Sequence, residues 1–305
     1  MRFLLLAILL LPLPVRADSA PATVASIAPV HSLVARVMQG AGEPYLLVPP
    51  GTSPHDYAMR PSDAAALEDA RLIFWVGPGI EPWLERALGT LASEARVVRL
   101  DAVPGLTRLA VREDVAFEAH EDDEGHDDAH GHDDDAADPH LWLDPENAKL
   151  WLGAIARTLA EADPAKRALY VGNAEKAQLE IDALQARIDA RLAPVRGRPF
   201  IVFHDAFHYF EHRFEIEAAG AVALSDARPP GPARVAEIRA LIKETGAVCL
   251  FREPQFRSGI IETVAEGTNV RIGVLDPVGA TLAPGPGLYP ALIEGLADSL
   301  ADCLG

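Results

Sequence analysis

The sequence lacks the short motifs that mark the common hydrolase and nucleotide-binding sites. It contains no H-E-x-x-H motif, no G-x-S-x-G motif, no phosphate-binding glycine loop and no internal repeat. Zinc proteases of the H-E-x-x-H type, serine hydrolases and P-loop enzymes are therefore not indicated. Any functional site must be built from residues that are distant in the sequence.

Basic side chains are scarce. The chain has 27 Lys and Arg against 45 Asp and Glu, which gives a net charge of −18. Residues 118–138 carry 11 of these acids and contain no Lys or Arg. This charge balance disfavours nucleic acid and anionic lipid as partners, and it attracts cations.

Long apolar runs are confined to the start, "MRFLLLAILLLPLPVRADS". Arg2 precedes the apolar run, and small residues stand at Val15 and Ala17. The pattern predicts a signal peptide over residues 1–17, because a membrane-spanning helix needs about 20 apolar residues. No cysteine that could carry a lipid lies near Ala17. We therefore expect export to the periplasm without insertion into the membrane. We also expect a monomer.

Only two cysteines are present, Cys249 and Cys303. An exported protein folds in an oxidising compartment, where a pair of cysteines forms a disulfide more often than two free thiols. The sequence therefore predicts a disulfide between Cys249 and Cys303. A zinc site that uses two isolated cysteines is the weaker alternative.

Strand-like runs alternate with helical patterns along the chain. The predicted strands are 23–30, 45–50, 71–77, 96–100, 200–205, 216–224, 247–253 and 271–277. The predicted helices are 31–42, 61–70, 82–91, 164–192, 206–214, 233–246, 258–267 and 288–304, with a further helix that begins at Asp144 and Pro145. This alternation indicates an α/β fold in which parallel-rich sheets are flanked by helices.

The long helix over 164–192 divides the alternation into two lobes. We therefore expect an N-terminal α/β lobe over 18–163, a rigid linking helix over 164–195 and a C-terminal α/β lobe over 196–305. The first lobe includes an acidic, histidine-rich loop over 118–138. Open α/β sheets bind ligands at the carboxyl ends of their strands, so we expect the site between the two lobes.

Three histidines stand where strands or loops open towards that cleft. His55 lies in a Pro/Gly-rich loop after a strand, His140 lies between prolines before a helix, and His204 lies near the end of an apolar strand. Asp276 follows the last predicted strand at the matching place. A lone loop histidine is usually a solvated side chain, but three at equivalent edges indicate a metal site. Imidazole with at most one carboxylate suits tetrahedral zinc.

The other histidines outside the acidic tract are assigned to the surface. We place His31 at an exposed helix start or at the rim of the cleft. His208 and His212 are assigned to exposed helix positions, although their spacing of one turn also permits a surface metal clip. Asp205 and Asp56, each beside a candidate ligand, are predicted either to orient an imidazole or to cap a helix.

Four segments carry a family resemblance: "GTSPHDYAMRPSD", "DPHLWLDPENA", "FHDAFHYFEHRF" and "LFREPQFRSGIIETVAEGTNVRIGVLDPVG". In sequence and order they resemble the zinc-binding proteins of bacterial ABC importers, a metal-binding class of periplasmic solute-binding proteins. The likeness extends over nearly the whole mature chain. It implies two lobes linked by a long helix, with zinc bound between them.

The resemblance assigns the ligand roles to His55, His140 and His204. Asp276 matches a position that supplies a carboxylate in part of the family, whereas a water or another acid completes the site in other members. Some zinc binders have a glutamate just before the first histidine, and this chain has Pro54 there. The fourth ligand is therefore expected to be Asp276 or a water.

The resemblance implies a non-enzymatic carrier that captures Zn²⁺ in the periplasm and delivers it to an ABC permease of the inner membrane. An exported zinc-dependent hydrolase is one alternative, and it would need an open metal position with a general base nearby. A manganese-binding or adhesin-like relative is another. Manganese binders of the class have a carboxylate at the position of His204, so a histidine there favours zinc.

The tract "HEDDEGHDDAHGHDDD" holds four histidines, His120, His126, His130 and His132, among nine carboxylates. It has no large apolar residue to pack, and ordering a chain costs about 1–2 kcal/mol per residue. We interpret it as an accessory metal loop, a zinc collector or sensor of lower affinity than the main site. The alternative is a solvated acidic loop that binds metal only incidentally.

Overall fold

The structure, a computed structural model, describes residues 20–112, 116–117, 137–223, 231–256 and 259–305. Its strands are β1 (Thr23–Ala25), β2 (Tyr45–Leu46), β3 (Leu72–Trp75), β4 (Arg96–Arg99), β5 (Phe200–His204), β6 (Gly220–Ala223), β7 (Cys249–Arg252) and β8 (Arg271–Val274). Its helices are α1 (Ala28–Val37), α2 (Pro61–Glu68), α3 (Pro82–Leu91), α4 (Pro145–Ala162), α5 (Arg167–Leu192), α6 (His208–Phe214), α7 (Pro232–Thr245), α8 (Gly259–Ala265) and α9 (Leu288–Leu304). Every predicted strand and helix is present, mostly with shorter bounds. The predicted first strand, 23–30, was too long, because residues 28–30 form the first turn of α1, which has Pro29 near its start.

The described strands form two parallel sheets of four. Their orders are β2-β1-β3-β4 and β6-β5-β7-β8. Strand β3 is buried along its whole length, as expected where helices cover both faces of a parallel sheet. In each sheet the strand order reverses beside the first strand, between β1 and β3 and between β5 and β7. Open α/β sheets bind ligands at such points, at the carboxyl ends of the strands.

Helix α5 joins the two sheets. It has 26 residues and is therefore about 39 Å long at 1.5 Å per residue. Buried residues recur along it every three or four positions and form one apolar stripe: Tyr170, Ala174, Ala177, Ile181, Leu184, Ile188 and Leu192. This stripe packs in a core with α1, α4 and α9. The predicted fold class, two α/β lobes joined by a long helix, is confirmed.

One continuous hydrophobic core extends through both lobes. It includes Phe74 of the first sheet and Phe200 of the second, together with the stripe of α5. Two smaller clusters of buried apolar residues lie against the sheets, one in each lobe. The bounds that the sequence predicts for the lobes, 18–163, 164–195 and 196–305, stay a prediction.

The start of α4 is fixed by the cap that the sequence predicts. The side chain of Asp144 accepts a hydrogen bond from the N–H of Glu146 at 2.9 Å, and Pro145 occupies the first helical position. Arg213 of α6 also pairs with Asp144 through two contacts of 2.8 Å. This pairing ties the second lobe to the segment that carries His140.

The predicted disulfide is confirmed. Cys249 on β7 is bonded to Cys303 on α9, so the last helix is attached to the strand that precedes Glu253. Across the described residues no helix combines the length and the apolar character that crossing a bilayer requires. The predicted signal peptide over residues 1–17 lies outside the described residues.

Candidate metal centre

Three histidines from separate parts of the chain meet between the sheets. One potential ligand atom from each of His55, His140 and His204 lies within 4.8 Å of those of the other two. The ring centroids are 5.5 Å apart for His55 and His140, 5.4 Å for His140 and His204, and 6.3 Å for His55 and His204. Tetrahedral zinc with Zn–N bonds of about 2.0–2.1 Å needs nitrogen atoms roughly 3.3 Å apart, so modest inward movement would complete such a set.

Each histidine is held by a different kind of local structure. His55 lies in the loop after β2, and Trp83 of α3 fixes that loop by donating to the carbonyl oxygen of Pro54 at 2.8 Å. His140 precedes a 3-10 turn over Leu141–Leu143 that leads into α4. His204 is the last residue of β5, which is buried along its length. The two lobes therefore both contribute to the cluster.

The cluster surrounds a very small cavity. Its volume is about 10 Å³, roughly the space that one water-sized species occupies. Besides the three histidines, its walls are Ser53, Pro54, Trp142, Gln255, Pro277 and Val278. The space suits a single ion with one small ligand.

A buried carboxylate orients His140. Nδ1 of His140 lies 2.8 Å from Oδ1 of Asp138, and the backbone N–H of His140 donates to the same oxygen at 2.9 Å. Asp138 is only 3% exposed, and burial raises its pKa to about 7. When Asp138 is ionised it can only accept, so the imidazole proton lies on Nδ1 and the lone pair lies on Nε2. This is the tautomer that binds a metal through Nε2.

A second buried carboxylate orients His204. Nδ1 of His204 contacts Oε1 of Glu253, which is 1% exposed and directly follows β7. Because β5 and β7 are neighbours in the sheet, Glu253 lies at the point where the strand order reverses. Carboxylate–histidine pairs of this kind fix ring orientation and raise the basicity of the ligand in metal sites. Two of the three histidines are therefore prepared to present Nε2.

Asp138 and Glu253, which orient the imidazoles, are not the acids that the sequence predicts for this role. The predicted acids were Asp205 and Asp56. Asp205 instead pairs with Arg112, whose Nε donates to it at 3.0 Å, and Asp56 is exposed. Asp138 had the detectable signal, since it stands two residues before His140. Glu253 could have been noticed as the acid that ends a buried strand.

The structure does not bring Asp276 into the cluster. Its carboxylate accepts hydrogen bonds from the backbone N–H groups of Val278, Gly279 and Thr281 at 3.2, 2.9 and 3.4 Å. Asp276 therefore closes its own loop. The next residue, Pro277, accepts a hydrogen bond from Nε1 of Trp142 at 2.7 Å, which holds this loop against the site. A role for Asp276 as the fourth ligand stays a prediction.

The remaining histidines divide into three groups. His31 is 8% exposed, its Nε2 lies 3.1 Å from the carbonyl oxygen of Pro44, and burial lowers its pKa, so its assignment to the surface was wrong. The side chain of His208 is only 13% exposed and lies beside Asp138, so its assignment to an exposed position was also wrong, whereas His212 is exposed as predicted. The tract histidines, His120, His126, His130 and His132, lie outside the described residues.

The two ends of the acidic tract are attached to different parts of the second and first lobes. Ala116 forms a bridge with Gly220 at the edge of the second sheet, and Ala137 forms a bridge with Ala110. The next residue is Asp138, the partner of His140, so the tract ends at the metal centre. The predicted loop over 118–138 therefore included one residue that belongs to the metal centre.

Comparisons with known proteins agree with this architecture. The profile of the family described as "Zinc-uptake complex component A periplasmic" (ZnuA) matches residues 23–303. The high-affinity zinc uptake system protein ZnuA of Brucella abortus (strain 2308) is 46% identical, and the alignment covers 92% of this chain and 91% of that protein. The protein of the same name from Paracoccus denitrificans is 42% identical, covering 96% and 94%. A crystal structure of ZnuA superposes with a TM-score of 0.76 at 26% identity, covering 93% and 98%. The chain belongs to the ZnuA family of periplasmic zinc-uptake components.

Proposed function

We propose that this protein captures zinc in the periplasm and delivers it to the permease of an ABC importer in the inner membrane. The observation that carries the proposal is the cluster of His55, His140 and His204 between the lobes, with Asp138 and Glu253 holding two of the rings. Imidazole nitrogen is a preferred ligand of zinc and a poorer one for manganese. The 42–46% identical relatives named as zinc uptake proteins support the same cargo.

The size of the cavity favours capture of an ion over hydrolysis. A zinc hydrolase must place an organic substrate beside the metal and a general base beside the attacking water. The small space among the three histidines, about 10 Å³, suits an ion with one small ligand. The two carboxylates nearest the histidines, Asp138 and Glu253, are each occupied with a ligand imidazole. The family to which the chain belongs consists of zinc-uptake components.

We also propose that the tract with His120, His126, His130 and His132 collects zinc for this centre. The tract returns to the described chain at Asp138, which contacts His140, so a weak ligand set would stay close to the strong one. Tethering of this kind gives effective concentrations in about the mM range. If removal of the tract leaves zinc uptake unchanged, the tract is instead a solvated loop that binds metal only incidentally.

Zinc titration with a competing chelator tests the primary site. The mature protein should hold one tight equivalent, and His55→Ala, His140→Ala or His204→Ala should weaken it by more than the roughly 10–100-fold that loss of an orienting partner costs. His212→Ala is the matched control, because His212 is exposed on α6. Tight binding that survives all three ligand variants would overturn the assignment.

Growth in zinc-poor medium separates a carrier from an exported hydrolase. A strain whose chromosomal copy carries His204→Ala should grow poorly when zinc is scarce and normally when zinc is added. The protein should be exported in normal amounts in both media. Normal growth of this strain without added zinc would contradict a role in zinc capture.

A further inference from the structure

Gln255 lines the same cavity as the three histidines. It lies in the segment after β7, two residues beyond Glu253. Its Nε2 donates to Oε2 of Glu253 at 2.7 Å. A carboxylate oxygen is an acceptor, so the amide nitrogen must be the atom that faces Glu253. The orientation of the amide is therefore fixed by chemistry, and Oε1 is turned away from Glu253.

The carbonyl oxygen of Gln255 is a buried acceptor with nothing to accept. Oε1 has no hydrogen-bond partner within the described part of the chain. Buried polar side-chain atoms are satisfied in the large majority of cases, and exceptions call for an explanation such as a water or an ion. Because the residue lines the cavity, a donor bound in that cavity would satisfy it.

The metal centre has a place for such a donor. Three imidazoles leave one position of a tetrahedral zinc unfilled. Asp276, the predicted alternative for that position, is engaged by the N–H groups of its own loop. Ser53 also lines the cavity, and its Oγ already accepts from the N–H of His55 at 3.3 Å. Gln255 is thus the lining side chain with a fixed and unused acceptor.

We propose that Oε1 of Gln255 accepts a hydrogen bond from a water molecule that fills the fourth coordination position of the bound zinc. This inference rests on the proposed function. The water donates one O–H to Gln255 and binds zinc through its oxygen. Gln255 is then a positioning residue that acts on the ion through this water, while its Nε2 holds Glu253 and, through it, His204. One amide links the fourth ligand with one of the three histidines.

The first test detects the water directly. The full mature chain is loaded with half an equivalent of Co²⁺, so that the tightest site fills first, and its electron paramagnetic resonance signal is recorded in ordinary and in ¹⁷O-enriched water. Broadening of the signal in enriched water is expected, because a coordinated water carries the nuclear spin. An unbroadened signal would mean that Asp276 or Gln255 itself is the fourth ligand, and it would overturn the inference.

The second test removes the acceptor. Gln255→Met keeps the length of the side chain and removes its polar atoms, so zinc affinity should fall about tenfold, the lower end of the usual cost of losing an outer partner. Gln178→Met is the control, since Gln178 of α5 donates to the carbonyl oxygen of Lys149 away from the site. Zinc affinity of Gln255→Met within twofold of wild type would overturn the inference.

A comparison of two variants separates the two contacts of Gln255. Glu253→Gln disturbs His204, but its remaining carbonyl oxygen can still accept from Nε2 of Gln255 and keep Oε1 of Gln255 in place, so the Co²⁺ signal should still broaden in ¹⁷O-enriched water. In Gln255→Met the broadening should be weaker at the same metal loading. Equal broadening in both variants would reduce Gln255 to a support for Glu253 and would contradict the proposal. Failure of wild type to bind zinc tightly would instead contradict the proposed function.

Discussion

Oδ1 of Asp138 accepts two hydrogen bonds from His140, one from Nδ1 at 2.8 Å and one from the backbone N–H at 2.9 Å. This places the last acid of the acidic tract inside the metal centre. The contact fixes both the rotation of the imidazole and the position of its proton. The residue that ends the tract is therefore also the residue that orients one of the three histidines.

The first prediction uses this boundary. Deletion of residues 118–136 should leave the tight zinc site intact and remove only the weaker equivalents. Deletion of 118–138 also removes Asp138 and should weaken the tight site by about 10–100-fold, as losses of orienting carboxylates do. The two deletions are controls for each other, and chelator competition measures both. Equal affinities would show that Asp138 does not support His140.

The second prediction concerns Glu253. Glu253→Gln keeps the shape of the side chain but replaces an acceptor with an amide, so Nδ1 of His204 loses its anionic partner. Zinc affinity should fall by about 10–100-fold at unchanged stoichiometry. Glu237→Gln serves as the control, because the side chain of Glu237 is 58% exposed on α7. Isothermal titration with a competing chelator would detect the loss, and an unchanged affinity would refute the role of Glu253.

The third prediction concerns the disulfide. Cys303→Ala breaks the bond while Cys249 stays buried on β7, and the free energy of unfolding should fall by roughly 4 kcal/mol for a separation of 54 residues. The reason is that the bond restricts the unfolded chain. Denaturant unfolding under oxidising conditions measures the change, and Ser299→Ala on the same helix is the control. A loss below about 1 kcal/mol would contradict it.

Much of the fold was predictable because its elements have strong local signals. Strand β3 is apolar along its length, α4 begins with an Asp-Pro cap, and α5 carries a regular apolar stripe. The cysteine pair was predictable from the export signal. The three histidines could be grouped because strands or loops end there, and the carboxyl ends of parallel strands share one edge.

The partners of the histidines were harder to predict because they depend on sheet order. Glu253 contacts His204 across 49 residues, since β7 rather than β6 carries the facing acid. Asp205 was assigned to its neighbour in sequence, yet Arg112 engages it from 93 residues away. Asp138 was grouped with the acidic tract because composition does not show where a charged segment enters the core.

The fourth prediction concerns Glu81, which is fully buried at the start of α3. Burial raises its pKa to about 7, from 4.5 for an ordinary glutamate. The folded state therefore keeps a proton that the unfolded chain has released, and stability is lost as the pH rises from about 4.5 to 7. The free energy of unfolding of Glu81→Gln, relative to that of wild type, should therefore increase by about 2–3 kcal/mol between pH 5 and pH 8.

Denaturant unfolding of the metal-free protein at the two pH values checks this expectation. Glu85→Gln on the same helix is the control, because the side chain of Glu85 is exposed. A difference between Glu81→Gln and wild type that stays constant from pH 5 to pH 8 would show that Glu81 does not titrate in this range.

The last prediction concerns selectivity at His204. Imidazole suits zinc, whereas a carboxylate makes the site harder and more favourable to manganese, so His204→Glu should weaken zinc more than manganese. The structure adds a condition to this experiment. A carboxylate at position 204 would face Glu253, which now accepts from Nδ1 of His204, and two acids would repel each other.

The variant should therefore be made together with Glu253→Gln, whose amide can donate to the new carboxylate. The double variant should raise the ratio of the zinc to the manganese dissociation constant by more than tenfold relative to Glu253→Gln alone. Manganese binds most weakly in the Irving–Williams order, so the test is the change in this ratio and not the absolute preference. Both constants are measured at one pH in protein that lacks 118–136, so that the tract adds no background. A ratio that changes by less than about threefold would mean that the side chain at position 204 does not bind the metal.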